Sequence, residues 1–168
     1  MSIPTPKSTQ QLQNEVTEFD LQTFLPYLVR VFYTHVSSAV AQSYAPSFGL
    51  TPSEWRTLAV LGPGETLSAS DIVDRSSITR VHVSRAIKSL QKRGLIRRDI
   101  DGLDKRKASV RMTPDGIETY KGIIAPALEV EQALVKDLTE EDILHLISTM
   151  SKINQNAKLI GAESNWDL

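Results

Sequence analysis

SASDIVDRSSITRVHVSRAIKSLQKRGLIRRDIDGLDKRKASVRM, residues 68–112, changes its apolar period partway along, and that change decides the fold. Ser68 stands three residues before Asp71, the spacing of a capping box, and opens a short helix over 69–75. After a turn at Ser76-Ser77-Ile78, Thr79 is placed to cap a second helix over 80–93. Val83, Ile87 and Leu90 recur at i, i+4 and i+7 and would anchor that helix, while Arg80, Ser84 and Lys88 line another side with His82 and Arg85 nearby. From Leu95 the period falls to two. Ile96, Arg98 and Ile100 share one side of a first strand, and Ala108, Val110 and Met112 one side of a second. Asp101-Gly102 marks the turn, and the seven-residue loop DGLDKRK makes the pair an extended basic ribbon.

Helix, turn, helix and ribbon in this order read as a winged helix-turn-helix, and the flanking sequence makes the chain mainly α. Thr51-Pro52-Ser53-Glu54 supplies a cap, a proline at the first helical position and a carboxylate that reaches back, with Leu50 and Trp55 as a hydrophobic staple; Gly62-Pro63-Gly64 ends that helix. Upstream, Phe24, Leu28, Val31, His35 and Ala39 give a helix to about Tyr44, kinked at Pro26 or starting near Leu25. Thr113-Pro114 opens a helix expected to bend or break at Pro126. Leu138 to Ile143 gives another capping box and staple before a C-terminal helix. Residues 1–18 are polar and read as a flexible arm.

The formal charge of −1 conceals an asymmetry. Residues 75–111 hold twelve Lys or Arg against three Asp, so this segment is +9 and the remainder −10. A cluster of this kind suits a polyanion, because neutralised phosphates release condensed counterions. The chain has no cysteine, which excludes disulfides, thiolate metal sites and cysteine nucleophiles. Its three histidines, His35, His82 and His145, fall on three different predicted helices, and no phosphate-binding glycine motif occurs. Neither an enzyme, a metal site nor a cofactor is expected. No apolar run is long enough to cross a membrane, and the N-terminus lacks the apolar core of a secretory signal, so the expected location is the cytoplasm.

GLTPSEWRTLAVLG and the segment from Ser68 to Gly116 resemble the MarR family of transcription regulators. The wing is the most specific part: Asp104 and Arg106 match the family's Asp-x-Arg signature, followed by Met112-Thr113-Pro114-Asp115-Gly116 where the family has Leu-Thr-Pro-x-Gly. Val81-His82 departs from the family's common Ser-Thr. The resemblance implies a homodimer with residues 19–48 and 117–168 as dimerisation helices and 49–116 as the DNA-binding lobe. Its DNA contacts would come from Ser68, Ser70, Thr79, Arg80, Val81, His82, Arg85 and Lys88, and from Lys105, Arg106 and Lys107 of a wing stabilised by Asp104. The start of the second helix would enter a major groove and the wing arginine a minor groove. A crevice between the two regions would take a small aromatic acid or its CoA thioester, with Tyr27, Arg30, His35, Trp55 and Arg56 as candidate contacts; the nearest wording is that of regulators of aromatic-acid catabolism. The rival expectation is a winged helix that binds protein and not DNA. Sequence-selective binding to duplex DNA separates the two.

Overall fold

The computed structural model describes residues 19–100 and 108–163. Their elements run α1 (Leu25–Phe48), α2 (Pro52–Leu61), β1 (Leu67–Ser68), α3 (Ala69–Ser76), α4 (Arg80–Lys92), β2 (Ile96–Ile100), β3 (Ala108–Met112), α5 (Pro114–Val135) and α6 (Glu140–Glu163). The result is a mainly α winged helix-turn-helix. Its sheet is antiparallel in the order β1-β3-β2, with Leu67 and Arg98 on either side of Val110 and Ile96 opposite Met112. At two residues, β1 is too short to leave a period in the sequence. The expected arm at 1–18 and the wing tip at 101–107 lie outside the described residues.

Local chemistry explains the helix starts. Thr51 and Glu54 close a reciprocal capping box, as do Ser68 and Asp71; Thr139 and Asp142 form the same pair of bonds before α6. The hydrogen bonds from Ser68 hold the Asp71 carboxyl below its ordinary value. Thr113 accepts from the Gly116 N–H at 3.1 Å and donates to the Gly94 carbonyl at 2.6 Å, so one hydroxyl starts α5 and ties it to the end of the ribbon.

Two helix expectations need correction. α1 begins at Leu25 with Pro26 in its opening positions, where a missing N–H costs nothing, and it passes the expected end at Tyr44 to reach Phe48 through Pro46. Packing holds that last turn, since Tyr44 is fully buried against the Trp55 ring at 5.7 Å between centroids. α5 continues through Pro126 as one helix, so of the expected bend or break it is the break that is absent. Ile123 is fully buried one turn earlier, and Gly122 lets the Phe48 ring of α1 lie against the helix. Tertiary contact therefore outweighs the one hydrogen bond that each proline removes.

The core lies between α2, α3, α4 and the sheet, where Leu58, Leu61, Ile72, Val83, Leu90 and Val110 are almost completely buried, and Tyr44 of α1 and Ile123 of α5 join it. The outer helices differ. Leu25, Leu28 and Phe32 of α1 and Leu144, Ile147 and Ile153 of α6 all remain exposed, Leu144 at 61% and Ile147 at 59%.

Candidate nucleic-acid interface and adjoining hollow

α4 turns its apolar stripe of Val83, Ala86, Ile87 and Leu90 inward, which leaves Arg80, Val81, Ser84, Arg85 and Lys88 in solvent. Val81 is 57% exposed, an aliphatic group left in water at the start of the helix. Ser70, Arg80, Ser84, Lys88, Gln91 and Arg98 line a hollow of about 230 Å³ between α3, α4 and the ribbon. Three cations surround it and its lining contains no carboxylate, so the repulsion among them favours a bound anion. Sequence reasoning missed Arg98 and Gln91 at this place. Arg98 follows buried Ile96 by two residues on the same side of β2, which directs it toward α4, whereas Arg97 and Arg111 both pair with Asp99, at 3.8 and 2.8 Å.

The remaining expected DNA contacts behave less uniformly. Ser68 spends its hydroxyl on the Asp71 carboxylate at 2.7 Å and on Ser70 at 2.8 Å. Thr79 occupies the cap position of α4 but makes no side-chain cap bond; its hydroxyl pairs with His82 Nδ1 at 2.8 Å. His82 therefore lies on the flank of α4 beside Ser53 and α2, next to Arg85. Asp104, Lys105, Arg106 and Lys107 fall outside the described residues.

A second hollow, of about 350 Å³, opens between α1, α2 and α6. Val29, Phe32, Val36, Trp55 and Met150 make it apolar, and Tyr33 and Arg56 provide its polar rim. Arg56 Nη2 donates to the Tyr33 hydroxyl at 2.9 Å with its guanidinium 5.8 Å from the ring centroid, and this hydrogen bond, with one from Ser37, lowers the Tyr33 pKa. Trp55 closes the inner wall, packed against Tyr44 and Tyr120. Of the five expected ligand contacts, Trp55 and Arg56 line this hollow and Tyr27, Arg30 and His35 do not. A separate hydroxyl-rich hollow of about 220 Å³ shares Tyr33, Pro52 and Arg56 with it and is lined on its other side by Ser77, Thr79 and His82 at the start of α4. Among the described residues no group of three or more His, Cys, Asp or Glu is placed to hold a metal ion, and no helix is long and apolar enough to cross a membrane.

A family model described as the MarR family matches residues 48–107. YwoH, an uncharacterised HTH-type transcriptional regulator of Bacillus subtilis (strain 168), is 30% identical over 95 residues, 56% of this chain and 69% of its own. The fold matches the S. aureus MepR–DNA complex at a TM-score of 0.72 and 25% identity, over 79% of this chain and 98% of MepR. It also matches Bordetella bronchiseptica BpsR, described for regulation of its DNA binding by 6-hydroxynicotinic acid, at a TM-score of 0.73 and 23% identity, over 81% and 96%.

Proposed function

From the premise that the chain belongs to the MarR family, DNA-binding transcription regulators with a winged helix-turn-helix, we propose that it is a homodimeric repressor released from a palindromic operator by a small aromatic acid or its CoA thioester. The observation that carries the reading is the pairing of two places: a helix with its cations in solvent, and an apolar hollow whose rim residues Tyr33 and Arg56 also line a second hollow at the start of that helix. Arg80, Val81, Arg85 and Lys88 contact DNA directly, Ser70, Ser84 and Arg98 hold a phosphate beside them, and Lys105, Arg106 and Lys107 extend the contact from the wing.

In the ligand hollow Trp55, Phe32 and Val36 take the ring of the acid, and Arg56 pairs with its carboxylate after exchanging the Tyr33 hydroxyl for it. Such a ligand lowers operator affinity only by preferring a conformation with wrongly spaced recognition helices, and a tenfold shift needs about 1.4 kcal/mol of differential binding. The protein acts through binding, without catalysis. Selection from random duplexes followed by titration of the bound operator with benzoates, hydroxycinnamates, their CoA thioesters and hydrogen peroxide tests the whole reading. A palindrome released by one of the organic acids and indifferent to peroxide is expected. No selected duplex, or release by peroxide alone, would overturn it.

A further inference from the structure

We propose that Arg93 is a positioning residue for DNA recognition, pinning the C-terminal end of α4 to the end of α1 so that the recognition helix, together with α3 packed on it in one core, turns about that joint. The inference rests on the DNA-binding reading above and concerns how α4 is held, not what it touches.

The last carbonyls of any helix lack partners within it. At the end of α1 two of them find Arg93: Nη2 donates to the Phe48 carbonyl at 2.6 Å and Nη1 to the Gly49 carbonyl at 3.1 Å. Arg93 is the first residue after α4, and its own N–H bonds back to the Ser89 carbonyl, so its backbone follows that helix. A planar guanidinium spans two adjacent acceptors, which an ammonium does not do. Glu54 joins the same junction from α2. Its carboxylate, only 6% exposed, accepts from the Thr51 N–H at 2.7 Å. Burial pushes its pKa up, yet the Ser89 hydroxyl, Thr51 and the Arg93 charge prevail and hold it below its ordinary value. The end of α1, the start of α2 and the last turn of α4 therefore meet in one polar knot.

The other end of α4 is held differently, with Thr79 turned to His82 and the 220 Å³ hollow beside it. A helix of 13 residues is about 20 Å long, so a turn of about 10° at the pinned end displaces its first residue by about 3 Å. That distance is enough to break a base contact while leaving every side chain in place.

Because the chain has no cysteine, Asp74→Cys on α3 carries a single nitroxide per protomer, and the spin–spin distance across the dimer reports the orientation of the lobe. Arg93→Met should broaden that distance distribution, with melting temperature and helix content close to the parent's. If the correctly oriented fraction falls to about a tenth, operator affinity falls about tenfold, with base preferences unchanged. Arg93→Lys should restore part of both losses. A lost phosphate contact would instead reduce the salt slope of binding by about one, and that result would overturn the positioning role. So would an unchanged distance width and affinity in Arg93→Met, or in Arg93→Lys should the methionine variant not fold. A parent protein that selects no duplex would sink the DNA reading, and the nitroxide distances would still decide whether Arg93 holds the lobe.

Discussion

Arg80, Lys88 and Arg98 share a hollow without a carboxylate, whereas Arg85 stands apart from them on the side of α4 next to His82. The two settings imply different work. Arg98→Gln should leave base preference alone and reduce by about one the slope of log affinity against log salt, because one fewer counterion is released. Arg85→Ala should cost about 1–3 kcal/mol and change which bases are preferred. Selection from random duplexes at several salt concentrations measures both. Glu54 offers a test of stability in place of affinity. Its carboxyl is held below the ordinary value in the fold, so its contribution is present above the unfolded pKa and is lost as pH falls through the folded one. The parent should accordingly lose melting temperature below about pH 4 more steeply than Glu54→Gln. The basic character of 75–111 was legible from residue counts alone. The division of labour was not, because Arg97, Arg98 and Arg111 look alike in sequence until the strand pleat turns two toward Asp99 and one toward α4.

Capping is the element-scale device that reads most directly from sequence, since a hydroxyl and a carboxylate three residues apart suffice and neither needs a distant partner. Helix ends and helix faces depend on packing, and there the reading slipped. α1 is apolar on several sides, so its period does not select the side that meets α2; the hollow there is lined by Val29, Phe32, Tyr33 and Val36, and Tyr27, Arg30 and His35 lie elsewhere on the helix. The Thr113-Pro114-Asp115-Gly116 motif shows the converse, a sequence signal whose reason appears only in the fold. A Cβ on Gly116 would run into the Leu95 carbonyl at the point where the ribbon meets α5. Backbone cannot give way as a side chain does, so Gly116→Ala should destabilise the protein by about 2–4 kcal/mol, measured by urea unfolding. Gly122→Ala meets only the Phe48 ring, which can move, and should cost less.

At the scale of the whole molecule, one core joins α2, α3, α4 and the sheet to the end of α1 and to α5, while the rest of α1 and α6 leave aromatic and aliphatic residues in water. Faces of this kind at both ends of one chain fit the two-fold dimer proposed above. Light scattering at micromolar concentration should give twice the chain mass, and a stable folded monomer would refute the dimer. Met150 adds a further point, because it lines the proposed ligand hollow from α6, one of the helices with exposed apolar residues. In the proposed dimer, whatever packs on α6 also fixes one wall of that hollow, so mass action would link subunit association to occupancy by the proposed effector. Dilution should therefore weaken the effector, effector should tighten the dimer by the same factor, and the midpoint of thermal unfolding should climb with the logarithm of protein concentration.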